Sequence, residues 1–201
     1  SALNQRTSYE YEVIVVDGYS TDKTVEVAKK YSAKILYSDE GKGSTLIKGL
    51  NAAKGDIVIM MDADCSHRPE EFGLLIGGIK AGYDACMGSR FIQGGGTEDM
   101  PFHRRLGNKF FVNLVNLFWK TKYSDLCYGY RSFSKSSLRL LETESNGFGI
   151  EAEIAIKAAK NKLRILEVPS FEKARNSGAG KLRTFRDGWV ILKTILKEAG
   201  N

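Results

Sequence analysis

Asp62 and Asp64 stand one residue apart at the end of an apolar run, Ile57 to Met61, within the stretch DIVIMMDADCSH. Such a run reads as a strand buried on both faces, where a carboxylate must be paired or coordinated. Side chains alternate along an extended chain, so the two aspartates point to one side, roughly 6–7 Å apart. Ala63 between them leaves the backbone open to a bulky ligand. A divalent cation carrying phosphates suits the pair, because Mg²⁺ and Mn²⁺ take hard oxygen ligands and leave positions to the substrate. The spacing alone leaves a bland alternative open, in which Asp62 ends the strand and Asp64 caps the helix near Pro69.

A second set of residues is basic. After residue 88 arginine and lysine are frequent, and His103 is the only histidine. A phosphate monoester, with a second pKa near about 6, is largely ionised at neutral pH. It needs guanidinium groups to hold it and no base, whereas a sugar hydroxyl needs a general base. The balance of residues therefore favours an anionic acceptor. Arg104 and Arg105 open a helix, where positive charge opposes the dipole, and that cost favours a site over a solvated surface. Arg90 (in GSR) and Arg131 (in GYR) follow glycine turns, for which surface placement is the ordinary explanation. Lys181, Arg183 and Arg186 read equally well as a solvated face. His67 reads as a packing or supporting histidine rather than a ligand. Glu151 and Glu153 lie near a helix start, where the dipole alone favours them.

The elements that must position these residues follow a βαβαβαβ rhythm. Val13–Val16 is a short strand ending at Asp17, and Thr21-Asp22 opens a helix to about Tyr31. Lys34–Tyr37 is a second strand, and the glycine turn EGKGS leads into a helix from about Ser44 to Ala53. After strand Ile57–Met61 come a helix over Pro69–Lys80 and a strand over Ala85–Gly88. In such sheets ligands bind at the carboxyl ends of strands, where Asp17, Asp62 and Asp64 all sit. The second half holds an unusually apolar helix, His103–Lys120, then helix Ile150–Lys160, strand Leu163–Val168 stopped by Pro169, and helix Phe185–Glu198. The first of these carries more apolar surface than one buried stripe needs, so it packs a core or meets lipid or a partner.

Bulk properties agree with one domain over 201 residues, 42% hydrophobic and 27% charged, without a linker. The net charge of +6 suits an anionic partner. Nucleic acid is not expected, because zinc-finger, basic-zipper and RNP-like patterns are missing. Cys65, Cys86 and Cys127 form no CxxC pair, which points to a reducing compartment. No run of about 18 apolar residues and no signal peptide is present. Only residues 1–12 precede the first strand, too few for a strand and a helix, so either residues are expected to be missing near the N-terminus or the first unit is severely reduced.

The blocks VVDGYSTDKT, GKGSTLIKGLNAAKGDIVIMMDADCSHRPEEF, GSRFIQGGGTEDMPFHRRLGN, DLCYGYRSFSK and RNSGAGKLRTFRDG resemble the family-2 glycosyltransferases of GT-A fold. Among these they look most like dolichyl-phosphate mannose synthases and related polyprenyl-phosphate glycosyltransferases. The resemblance implies an α/β, Rossmann-like, mostly parallel sheet flanked by helices. A single domain over 1–201 would bind nucleotide sugar with residues 1–90 and acceptor with 91–201. Ala2-Leu3-Asn4-Gln5 is similar to the family's P-x-x-N-E loop, so a helix would be missing between Arg6 and Tyr9.

The activity implied is transfer of a hexose from GDP-mannose or a UDP-hexose to a polyprenyl or dolichyl phosphate. It would be metal-dependent (Mg²⁺ or Mn²⁺), inverting, and performed in peripheral contact with the cytoplasmic face of a membrane. By the same resemblance Asp62 and Asp64 hold the metal, with Ser66 a weaker third ligand. Asp17 lies near the base, with Gly18 where the family motif has a second aspartate. Lys42, Gly43 and Ala63 border the nucleotide, and Arg175 and Lys181 meet the donor diphosphate. Arg90, Arg104, Arg105 and Arg131 hold the acceptor phosphate, and Asp64, Arg90, Arg104 and Arg175 carry catalysis. Two other readings remain: a family-2 transferase acting on a hydroxyl, with Asp125 or Glu153 as base, and a non-catalytic phosphate-binding regulatory domain.

Overall fold

The computed structural model describes residues 9–98, 100–175 and 184–200. Its first half follows the expected alternation: β1 (Ile14–Asp17), α1 (Thr24–Lys30), β2 (Lys34–Tyr37), α2 (Lys42–Ala52), β3 (Ile57–Met60), a 3₁₀ turn (Pro69–Glu71) running into α3 (Phe72–Lys80), and β4 (Ala85–Ser89). The second half comprises β5 (Gly96–Thr97), α4 (Phe102–Trp119), β6 (Arg131–Ser134), α5 (Lys135–Leu138), α6 (Ile150–Lys160), β7 (Ile165–Pro169), β8 (Phe171–Glu172) and α7 (Thr184–Gly200). The α/β class expected from the sequence is the class observed. The expectations for residues 1–8 and for Lys181 and Arg183 lie outside the described residues.

Three sheets form: parallel β1-β2, a four-stranded sheet in the order β3-β6-β4-β7, and parallel β5-β8. In the central sheet β6 runs antiparallel to both β3 and β4, while β4 and β7 are parallel. Strand β6 was not expected from the sequence. Its residues, Arg-Ser-Phe-Ser, are too polar and too few to resemble an inner strand, yet Phe133 and Ser132 are fully buried. Ser132 survives there because its hydroxyl donates to the Leu75 carbonyl at 2.9 Å, so no buried polar group is left unmet. Arg131 pairs with Met60 on one side and Met87 on the other, which puts it in the middle of the sheet.

The main core joins Val58, Met60, Ala85, Met87 and Phe133 of the sheet to α6, whose residues Ile150 to Ile156 are buried, and to Val112, Val115, Ile191 and Ile195 of α4 and α7. Strand β7 lies at the sheet edge, so Pro169, which lacks an N–H, is tolerated there. Helix α2 begins two residues earlier than expected, which moves Lys42 and Gly43 from a loop into its first turn.

Candidate active site

The loop leaving β3 is closed by short-range hydrogen bonds. Ser66 donates both its backbone N–H (3.1 Å) and its hydroxyl (2.7 Å) to Oδ1 of Asp64. Cys65 adopts a left-handed conformation (φ 63°) to make that turn. Ser66, expected from the sequence as a weaker third metal ligand, is buried, and its hydroxyl aims the Asp64 carboxylate. The Asp62 backbone N–H donates to Nδ1 of His67 at 3.1 Å, which requires the neutral ring. His67 is buried, stacked on Tyr130 (centroids 4.7 Å apart) and edge-on to Tyr128 (4.8 Å). Burial lowers its pKa below the ordinary 6.5, against the pull of the Asp62 and Asp64 charges. His67 is thus the supporting residue that its sequence context suggests.

Each aspartate faces a basic side chain. Lys42, from the first turn of α2, places Nζ 3.2 Å from Asp62 Oδ1 and 2.7 Å from Glu151 Oε1. Arg175, just beyond β8, places Nε 3.0 Å from Asp64 Oδ2. Burial would raise the Asp62 pKa, but Lys42 and, more weakly, Arg175 hold it below the ordinary 3.8. Asp62 is therefore an anion at neutral pH. For Lys42 burial disfavours the charge, and Glu151 and Asp62 outweigh it, so the ammonium persists. All four of the side chains Lys42, Asp62, Asp64 and Arg175 remain about a quarter to a third exposed (25%, 35%, 27% and 26%), so incoming ions and phosphates can reach them.

Two carboxylates, each facing a cationic side chain, suit a divalent metal in ligand hardness. Among the described residues no three acid, histidine or cysteine side chains converge on one point. A cation at Asp62 and Asp64 would accordingly take its remaining ligands from the substrate or from water.

The loop carrying Arg175 is tied down locally. Lys173 N–H donates to the Ser66 carbonyl (2.9 Å) and Ala174 N–H to Glu98 Oε2 (3.1 Å). Ala63 is exposed between the two aspartates, as a ligand-facing position requires. Asp17, at the tip of β1, is buried, and its Oδ2 accepts from the Ser20 N–H at 2.8 Å. Nearby, an open hollow of about 440 Å³ is lined by Tyr19, Tyr37, Ser38, Ser44 and Asn146 among others. Tyr19 and Tyr37 stack with centroids 5.3 Å apart. A second hollow, about 400 Å³, lies against Gly41, Lys42, Phe148, Arg186 and Val190.

Several residues named from the sequence are engaged by the fold itself. Gly43, expected beside the nucleotide, is a packing glycine: its N–H donates to the Asn146 carbonyl at 2.8 Å, and a Cβ would come within 1.7 Å of the Ser145 carbonyl oxygen. Arg90 is almost fully buried. Its Nε and Nη2 bind the two oxygens of Asp125 (2.7 and 2.9 Å), and Nη1 binds Glu172 (3.0 Å). Arg131 is buried at 1% exposure and donates to the carbonyls of Tyr128, Leu126 and Glu151 at 2.7–3.0 Å. Both arginines, expected to hold the acceptor phosphate, are buried, and each spends three of its five N–H donors on the fold's own oxygens. Arg104 is half-buried, with Nε donating to Thr184 Oγ1 at 3.3 Å, and Arg105 is exposed beside Phe91.

Glu151 is the residue that sequence reading missed. A glutamate in the first turn of a helix has a sufficient local reason to be there, so nothing in the sequence connects it to Lys42.

The residues 1–141 match the model of glycosyl transferase family 2. A dolichol-phosphate mannosyltransferase of Pyrococcus furiosus is 36% identical over 86% of this chain and 51% of its own length. A dolichyl-phosphate hexose transferase of Haloferax volcanii is 31% identical, covering 97% of this chain and 84% of the relative. The chain spans about half the length of the Pyrococcus relative. Among solved structures, glucosyl-3-phosphoglycerate synthase of Mycobacterium tuberculosis, in complex with Mn²⁺, uridine diphosphate and glucosyl-3-phosphoglycerate, superposes with a TM-score of 0.70. It is 20% identical, covering 94% of this chain and 69% of that one, which establishes a shared fold.

Proposed function

We propose, from the premise that this chain belongs to glycosyl transferase family 2, that it transfers a hexose from a nucleotide sugar to a polyprenyl phosphate with the help of a divalent cation. The observation that carries this reading is the pair of accessible aspartates beyond β3, each facing a cationic side chain. The relatives named as dolichol-phosphate mannosyltransferase and dolichyl-phosphate hexose transferase support the acceptor class. The Mn²⁺ and uridine diphosphate bound to the structural neighbour support the donor class and the metal.

Asp62 and Asp64 would hold Mg²⁺ or Mn²⁺, which when bound neutralises charge on the departing diphosphate. The chain's own residues have three tasks. Lys42 and Arg175 place positive charge where that diphosphate develops its negative charge, in a partly dehydrated cleft where such charge counts most. The fixed turn at Cys65 and the Ser66 hydroxyl keep the Asp64 carboxylate aimed. The hollow lined by Tyr19 and Tyr37 shares the first turn of α2 with Lys42 and is of a size for a nucleoside.

An ionised phosphate acceptor needs no proton removed, and Arg104, Arg105 and Arg186 near the start of α4 and α7 are our candidates to hold it. The alternative of a hydroxyl acceptor is weakened by the fate of its two candidate bases. Asp125 is sealed under Arg90, and Glu153 accepts the N–H groups of Glu144 and Ser145.

For the lipid we propose the face formed by α4 and α7. Phe102, Leu106, Phe110 and Leu117 of α4 and Phe185, Trp189 and Leu196 of α7 are all exposed, with Arg105, Lys109, Arg186 and Lys193 on the same two helices. Among the described residues no helix is long and apolar enough to cross a membrane. Peripheral contact with an anionic membrane surface, on the cytoplasmic side where nucleotide sugars are found, matches this composition.

One assay tests the reading. GDP- and UDP-sugars are supplied with Mg²⁺ or Mn²⁺ and either a phosphopolyprenol or a free saccharide, and product is measured. Transfer to the phosphopolyprenol alone is expected. Transfer only to the saccharide, or none with any donor, overturns it.

A further inference from the structure

Glu151 has no part in the mechanism above, yet its side chain is 6% exposed and its Oε1 lies closer to Lys42 Nζ (2.7 Å) than Asp62 does (3.2 Å). Two carboxylates therefore share one ammonium. They are near neighbours, because a Cβ at Gly129 would stand 3.6 Å from both Glu151 Oε1 and Asp62 Oδ2. The peptide that bears Glu151 is fixed by Arg131, whose Nη1 donates to its carbonyl at 2.7 Å. A buried carboxylate so placed needs a permanent partner.

The two halves of the shared pair differ in exposure. The Asp62 side chain is 35% exposed and faces the cleft, whereas Glu151 is enclosed. A divalent cation arriving at Asp62 repels Lys42 but leaves Glu151 in place. Without Glu151 the ammonium has two poor options: to stay on Asp62 and compete with the metal, or to leave the site.

We infer that Glu151 is a positioning residue for Lys42. It holds the ammonium at the rim of the site when a cation takes Asp62, and so keeps Lys42 available to an incoming diphosphate. This rests on the functional reading above, in which Asp62 is a metal ligand.

The test measures binding rather than turnover. Free Mn²⁺ is followed by electron paramagnetic resonance, and UDP and GDP binding at saturating Mn²⁺ by calorimetry, on the wild-type chain, Glu151→Gln, Lys42→Met and the double variant. Glu151→Gln is expected to weaken Mn²⁺ about tenfold in the presence of Lys42 and less than twofold in its absence, since additivity fails for residues acting through one another. Both single variants are expected to weaken nucleotide binding about tenfold. An equal loss of Mn²⁺ affinity in the two backgrounds would mean that Glu151 acts by its own charge, and would overturn the inference, as would no loss in Glu151→Gln. Glu151→Asp keeps the charge but shortens the reach. Should the glutamine variant fail to fold, the aspartate variant is expected to lose several-fold in both affinities, and wild-type values there would refute the idea. If the wild-type chain binds neither Mn²⁺ nor either nucleotide, the functional reading falls together with this one. Wild-type binding with unaltered variants removes this inference alone.

Discussion

Two clusters of paired charges stand just beyond strand ends and do different work. Beyond β3, Lys42 and Arg175 face Asp62 and Asp64 with about a quarter to a third of each side chain exposed. Beyond β4, Arg90 meets Asp125 and Glu172 with exposures of 4%, 0% and 11%. Residue types and distances are alike, and access to solvent separates them. A partly exposed pair exchanges partners cheaply, because water and incoming ions replace what is lost. A buried pair is held by the cost of leaving either charge alone in the interior. Thr97 adds its hydroxyl to Glu172 at 2.6 Å, so the second cluster also pins β5 to β8. Under the proposed function the first cluster meets the ligands, while the second holds the loops around it.

The sharpest way to break this contrast is to truncate one member of each cluster. Asp64→Ala is expected to reduce sugar transfer by at least about 10³-fold, roughly 4 kcal/mol of transition-state stabilisation. Its urea midpoint should barely move. Arg90→Ala should do the reverse on the stability axis, losing roughly 3 kcal/mol in urea unfolding because two carboxylates are left buried. An Arg90 variant of normal stability, or an Asp64 variant of normal activity, would erase the distinction.

A smaller effect tests whether exposure also marks the lipid-facing surface. Replacing Phe185 and Trp189, 93% and 57% exposed, with serine should weaken binding to anionic vesicles about tenfold, roughly 1.4 kcal/mol. The thermal midpoint should stay unchanged, and a fall in stability instead would place these residues in packing.

The smallest expected effect concerns pH. Glu153 belongs with the structural carboxylates. Burial pushes its pKa up, but hydrogen bonds from Ser145 and Glu144, with help from Lys157, hold it below the ordinary 4.5. A carboxylate lowered on folding contributes stability that is complete above its unfolded pKa and is lost as pH falls through the folded value. Glu153→Gln should therefore cost about 1 kcal/mol at pH 7 and progressively less below about pH 4.5, measured by urea unfolding across that range.

The first half of the chain was legible because its signals are local. The apolar run from Ile57 made a strand legible there, although the strand (Ile57–Met60) lies at the edge of the four-stranded sheet and not inside it, and Asp62 and Asp64 inherit their place from it. The second half was less so. Arg131 looked like a surface residue after a glycine turn because the strand that carries it has no apolar alternation to betray it. Lys42 was assigned to a loop because a glycine on either side hides a helix start. Those glycines answer to the 145–146 backbone, which passes too close for any side chain at Gly43.

The order of strands and helices in the first half, the two aspartates at a strand tip and the excess of positive charge were fixed by the sequence itself, since propensity, periodicity and composition act over a few residues. Which cations are exposed and which are sealed was decided by the tertiary structure alone. Exposure is a property of what lies on every side of a group, and the neighbours of Arg90, Arg131 and Glu151 come from distant parts of the chain. Asp125, Glu172 and Lys42 acquire their partners only when the sheet closes.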